Sequence, residues 1–199
     1  MQLQNKRKLN VILASNSPRR KDILRQVGII FSSEPAHIDE HILPGETPEI
    51  YAERVALDKA HIAAKRAKAG IVIAADTIVV LDDTILGKPS DDQDAGRMLT
   101  MLSGRMHRVI TGIVVMDAAT GRTLTNTSIT RVWFRTLTDD EIRSYVSTGE
   151  PLDKAGAYGI QEKGALFIER IDGCYFNVVG LPVSLLGEML RAFDIDLIA

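Results

Sequence analysis

A chain of 199 residues, 45% hydrophobic and 25% charged, is long enough to bury a sizeable core and has the composition of a globular α/β protein. Its formal net charge of -2 excludes the global basic field that a nucleic-acid polymer or an acidic membrane surface would need, so any anion site must be local. The single cysteine, Cys174, excludes an intrachain disulfide and a cysteine-rich zinc cage, and points to a reducing cytoplasm.

The first residues, MQLQNKRKLNVIL, have a basic start but no apolar signal-peptide core. No stretch approaches the roughly 20 apolar residues of a membrane helix. Leu9 to Leu13 reads as a short strand. It runs into SNSPRR, where Ser17 is placed to cap a helix, Pro18 suits its first position, and Arg19 to Gln26 continues it. Two adjacent cations at a helix start oppose the helix dipole unless an anion sits there. Ser15 and Ser17 hydroxyls, free backbone N–H groups and the guanidiniums of Arg19 and Arg20 together suit phosphate oxygens. The plainer reading is a capped helix with two solvated arginines. The turn is not a P-loop, because its glycines and Lys-Ser/Thr pair are absent.

A loop-rich stretch, EPAHIDEHILPGETPE, follows. His37 and His41 are four apart, but Pro35 and Pro44 bracket a loop and no third ligand is evident, so zinc is not expected. Thr47 and Pro48 open the longest helix, expected to run to about Ala69. Lys59 falls amid the apolar face made by Tyr51, Ala52, Val55, Ala56 and Ala63. Either it snorkels to water, or that face lines a polar cleft.

IVIAADTIVVL reads as a buried strand interrupted by Asp76 and Thr77. A carboxylate there is costly without a partner, a metal or a function, although Asp and Thr are also good turn residues. Ser90 and Gln93 are spaced as a capping box for a helix to about Leu102. HRVITGIVVMDA and TLTNTSITRVWFRTL flank Ala119-Thr120-Gly121 as a hairpin, a candidate lobe of the same α/β unit. Thr138 and Glu141 form a second capping box. Ala165 to Ile171 reads as a strand, and Pro182 to Phe193 as a helix. Glu40 and Asp76 form a carboxylate pair of the kind that holds Mg²⁺ against a polyphosphate. Lys88 and Lys154 sit in constrained turns where the backbone approaches a ligand closely. Cations and carboxylates gathered in loops point to a polyanion with a divalent metal. The absence of a linker argues for a single α/β domain over residues 1–199.

The segments LASNSPRR, LDKA, AADTIVVLDDTILGKP, LSGRMHRVITG, FRTLTDDEI, DKAGAYGIQ and NVVGLP occur in this order. In them the chain resembles the Maf family of nucleoside triphosphate pyrophosphatases, from about Val11 to Leu186. The resemblance implies an inosine-triphosphatase-like α/β fold: an elongated mixed sheet flanked by helices, with two lobes and a central cleft. It implies hydrolysis of a nucleoside triphosphate to monophosphate and pyrophosphate, dependent on Mg²⁺ or Mn²⁺, in a cytoplasmic homodimer. By motif, Asp76 matches the proton acceptor, while Arg19, Thr77 and Gln161 match positions tied to substrate choice. Glu40, Arg20, Lys59, Lys88 and Lys154 match polar cleft positions. The set looks like the dTTP/UTP-type branch. A 7-methyl-GTP-type enzyme and a nucleotide-binding regulator of septum formation are the alternatives. Asp76 stands open as general base or metal ligand. Asn16 stands where glycine is common, and GIQEKGALF stands where the family more often has Gly-Leu-Gly, the change to Glu162-Lys163 having an open effect on base preference.

Overall fold

A computed structural model describes residues 10–198 of the protein. Its strands are β1 (Val11–Leu13), β2 (Phe31–Ser33), β3 (Ile71–Leu81), β4 (Thr84–Leu86), β5 (Met106–Asp117), β6 (Thr123–Phe134) and β7 (Ile168–Asp172). Its α-helices are α1 (Pro18–Gln26), α2 (Pro48–Ala67), α3 (Asp92–Leu102), α4 (Asp139–Val146), α5 (Tyr175–Val179) and α6 (Val183–Arg191). The strands form one mixed sheet in the order β2-β1-β3-β5-β6-β7, with β4 paired to β3. β1 is parallel to β2 and β3, and the remaining pairs are antiparallel. No helix among the described residues is long and apolar enough to cross a membrane.

Local chemistry accounts for the starts of the first four α-helices and for one hairpin turn. Ser17 caps α1, with Pro18 in its first turn. Thr47 caps α2, and the helix stops at Ala67 because Lys68 adopts a left-handed φ of 62°. That is two residues before the expected Ala69. Thr138 and Glu141 make the expected reciprocal capping box on α4. The expected Ser90–Gln93 box does not form. Asp91 caps α3 instead, accepting from the Asp94 N–H at 2.8 Å, while Asp94 accepts from the Ser90 N–H at 3.1 Å. Two carboxylates suit the positive helix end better than a hydroxyl and an amide. The 119–121 turn closes the β5–β6 hairpin, with the Gly121 N–H bonded to the Asp117 carbonyl at 2.8 Å.

Other boundaries depend on tertiary contacts. Lys163–Phe167 is a 3-10 turn rather than the start of a strand, and β7 begins only at Ile168. The Glu150 carboxylate accepts the Lys163 and Gly164 N–H groups, both at 3.2 Å, which fixes that turn. β2, β4 and α5 are too short to carry a periodic signal. Leu9 of the expected first strand lies outside the described residues.

β3 itself is continuous through Asp76 and Thr77, which pair with Gly112 and Thr111 of β5. The interruption in its apolar pattern is instead a division of the core. On the face under α2, Val72 and Ala74 belong to one apolar cluster, while Ile78 and Val80 belong to another. On the opposite face Ile71, Ile73 and Ala75 pack with α1 and α6, while Val79 and Leu81 pack with α3 and α4. Asp76 and Thr77 occupy the seam on both faces.

Candidate active site

The seam opens into a cleft of about 570 Å³ whose lining includes every residue expected to bind substrate or metal or to act in catalysis. At its centre, Asp76 is 7% exposed and Lys59 9% exposed. The Lys59 ammonium donates to Asp76 Oδ1 at 2.7 Å and lies 2.7 Å from Glu40 Oε1. Lys59 therefore does not snorkel: on the buried, mainly apolar face of α2 it meets a carboxylate from β3 and another from the loop before α2. A buried charge of this kind persists because it is paired.

Gly112 sets how closely α2 approaches. A Cβ on Gly112 would lie 2.2 Å from the Ala52 carbonyl oxygen and 2.6 Å from the Glu53 nitrogen. The missing side chain lets α2 rest directly on the strand that pairs with Asp76. Tyr51, one face-turn before Val55, also lines the cleft and donates to the Glu40 carbonyl at 2.7 Å. Burial first, then the Asp76 and Glu40 charges, push the Tyr51 hydroxyl up to about 12. It is a neutral donor at physiological pH.

The SNSPRR turn separates its two arginines. Arg20 is a brace. Its Nε donates to the Gly180 carbonyl at 2.8 Å, Nη1 to Ser15 Oγ at 3.1 Å and Nη2 to Thr77 Oγ1 at 3.0 Å. Burial lowers its pKa from the usual value, opposed by the Asp76 charge. One N–H on each terminal nitrogen is left for a ligand. Ser15 Oγ also accepts the Ser17 N–H at 3.2 Å, and Ser17 Oγ the Arg20 N–H at 3.5 Å, so both hydroxyls shape the turn itself. Arg19 instead reaches across to Asp153, with Nη1 2.9 Å from Oδ2. Thr77 Oγ1 lies 2.9 Å from Thr111 Oγ1 and bonds the Gly180 carbonyl at 3.4 Å, which ties β3 to the end of α5.

On the far wall, Lys154 differs from the free phosphate ligand expected of it. It is 7% exposed, and its ammonium donates to the Glu150 carbonyl at 2.7 Å and to Asp153 Oδ1 at 2.9 Å, with Glu162 Oε2 at 3.6 Å. Neighbouring acceptors in its own loop consume its donors. Burial raises the Asp153 carboxyl, but bonds from Lys154 and Arg19 outweigh this and hold it below the usual range. Gln161 and Lys88 are exposed at the cleft wall, and neither makes a side-chain hydrogen bond or ion pair among the described residues.

Sequence reasoning missed Tyr51, Asp153, Glu150 and the Gly180 carbonyl. Asp153 was visible as part of DKAGAYGIQ, whereas the others acquire meaning only from contacts distant in sequence. His37 lines the cleft, while His41 lies outside it with Nδ1 3.0 Å from Asp39. No group of three or more His, Cys, Asp and Glu side chains suited to a metal converges among the described residues. Glu40 and Asp76 nonetheless present two carboxylates to one cation, Lys59. Mg²⁺ is commonly bound by one or two carboxylates completed by substrate phosphates, so this donor pair fits it or Mn²⁺.

The chain matches the family model of Maf-like proteins over residues 10–193. A protein of Syntrophomonas wolfei subsp. wolfei named dTTP/UTP pyrophosphatase is 53% identical over 178 residues, covering 89% of this chain and 94% of the relative. One of the same name from Clostridioides difficile is 48% identical over 185 residues, covering 93% and 95%. The solved Ham1 protein of Staphylococcus aureus shares the fold, with a TM-score of 0.54 at 18% identity, covering 92% of this chain and 98% of that one. The family match spans the segments that build the cleft, the relatives cover most of the chain, and the chain belongs to the Maf-like protein family.

Proposed function

We propose that this protein hydrolyses dTTP and UTP to the nucleoside monophosphate and pyrophosphate. The observation that carries the reading is one cleft joining a carboxylate pair to Arg19, Arg20, Lys59 and Lys88. The similarity to relatives named dTTP/UTP pyrophosphatase supports the choice of nucleotide.

The chemistry is an in-line displacement. A water oxygen bonds to the α-phosphorus, its bond to the bridging oxygen breaks, and that electron pair leaves with pyrophosphate. Asp76 takes the water proton. Its Oδ1 accepts from Lys59, which orients the carboxylate toward the cleft. Arg19, Arg20 and Lys88 hold phosphate oxygens, and positioning of this kind supplies much of phosphoryl-transfer catalysis. Glu40, with Asp76 beside it, would hold Mg²⁺ or Mn²⁺, which would offset the charge of the triphosphate; Asp76 as metal ligand is the alternative to its role as base. Gln161 offers an amide donor and acceptor to the pyrimidine edge. Lys154, braced by Glu150 and Asp153, shapes the wall beside it. The single cysteine supports a cytoplasmic setting. The homodimer implied by the family is checked by sedimentation of the purified chain.

Pyrophosphate release across a nucleotide panel, with and without Mg²⁺, tests the reading. dTTP and UTP are expected to turn over fastest, and Asp76→Asn to lose roughly 10²–10⁴-fold in kcat while keeping the wild-type fold. Preference for 7-methyl-GTP, or tight nucleotide binding without turnover, would overturn it.

A further inference from the structure

Glu40 sits in a segment, residues 34–47, that has neither helix nor strand. Such a segment has no ladder of its own to fix a carboxylate, so whatever fixes it comes from outside. The outside element is α2, and it grips consecutive carbonyls. The Tyr51 hydroxyl donates to the Glu40 carbonyl at 2.7 Å, and Arg54 Nη2 donates to the His41 carbonyl at 2.8 Å. The Arg54 guanidinium also pairs with both oxygens of Glu46, at 3.0 Å from Nη2 to Oε2 and through Nε to Oε1. Glu46 Oε2 in turn accepts the Leu43 N–H at 2.8 Å. The guanidinium carbon lies 5.5 Å from the Tyr51 ring centre. The Glu46 side chain is only 8% exposed.

Exposed ion pairs stabilise little, but this one is two-pronged, shielded, and bonded to main chain on both sides. Arg54 does not line the cleft. Its contacts are with the groups that fix the path of the chain at residues 40–46.

We propose that Arg54 is a positioning residue for the reaction: with Tyr51 and Glu46 it clamps the loop so that Glu40 faces Lys59 and Asp76. This rests on the reading above, in which Glu40 serves the triphosphate end of the cleft. A positioning residue acts through the group it positions, so removing both costs no more than removing that group alone.

The test is a double-mutant cycle on pyrophosphate release from dTTP over a range of Mg²⁺ concentrations. Arg54→Ala is expected to lower kcat/KM by roughly 10–100-fold and to raise the Mg²⁺ concentration needed for half-maximal rate. Arg54→Ala combined with Glu40→Gln is expected to match Glu40→Gln alone. Arg54→Lys should not restore the rate, because an ammonium cannot make the two-pronged contact. Tyr51→Phe, a milder change that keeps the ring, should give a smaller loss of the same kind. Hydrogen exchange at the Leu43 amide, measured without nucleotide, should speed up several-fold in Arg54→Ala and not in Glu40→Gln.

Multiplicative losses in the double variant, or wild-type kcat/KM in Arg54→Ala, would overturn the proposal. If the wild-type chain released pyrophosphate from no nucleotide, the functional reading would fall. Leu43 exchange would then decide the clamp alone, and unchanged exchange in Arg54→Ala would sink it.

Discussion

Gly112→Ala tests whether the seam between α2 and β5 sets the active geometry. Gly112 lies directly across the ladder from Asp76. The added methyl would stand 2.2 Å from the Ala52 oxygen and 2.4 Å from the Ala52 carbonyl carbon, both backbone atoms of α2. Helix backbone cannot rotate aside as a side chain does. Restoring ordinary contact moves α2 away from the sheet by about 1 Å. Lys59 lies on the same helix about two turns further on, with 2.7 Å contacts to Glu40 and Asp76. A displacement of that size is expected to lower kcat/KM by about 10²-fold. Overpacking should also cost about 1–3 kcal/mol of stability. Steady-state kinetics and thermal unfolding on the same preparation measure both. Gly187→Ala, in α6 with nothing within 4 Å of the new methyl, is the control and should be neutral or stabilising. A folded Gly112→Ala protein with wild-type kcat/KM and Tm would refute the reasoning.

Arg20→Ala removes bonds to Ser15, Thr77 and Gly180 and should cost about 2–3 kcal/mol in urea unfolding, with activity lost on every nucleotide. Arg19→Ala, which breaks a partly exposed pair with Asp153, should change stability by less than about 1 kcal/mol while lowering kcat/KM and altering the nucleotide profile. Glu150→Ala frees the Lys163 and Gly164 N–H groups and the Tyr145 hydroxyl, so the turn after Gln161 loosens; discrimination between dTTP and purine nucleotides should fall about 10-fold while kcat on dTTP stays within a few-fold. Burial lowers the His107 imidazole to about 3, against an ordinary value near 6.5, and its Nε2 is 2.7 Å from the Tyr158 hydroxyl. Between those values the unfolded chain binds a proton that the folded chain does not, so stability falls as pH drops from about 6.5 toward 3; from pH 7 to pH 5 the wild type should lose about 2 kcal/mol more than His107→Gln in urea unfolding.

The sequence by itself determined features that depend on neighbours within a few residues. Capping at Ser17, Thr47 and Thr138, the 119–121 turn and the apolar face of α2 follow from local geometry, and they were legible. The candidate residues that the fold gathers in the cleft were legible as well, because they are polar groups in apolar or glycine-bounded contexts. Lys59 on an apolar helix face and Asp76 in an apolar strand each looked out of place for the same reason: each is the other's partner.

The tertiary structure decided which groups are available and which are spent. Arg19 and Arg20 are adjacent and chemically identical, yet one spans the cleft and the other braces three segments, because helix geometry points them about 100° apart. Lys154 and Lys88 both looked like turn lysines, but only Lys154 is surrounded by carbonyl and carboxylate acceptors. The apparent break in β3 was a break in the core, since hydrogen bonding to β5 runs through it unaltered. Cap, turn and periodicity are short-range, whereas the pairing of a charge is settled by whichever groups fold against it; for Lys59 that is Asp76, 17 residues away, and for the Arg20 Nε it is the Gly180 carbonyl, 160 residues away.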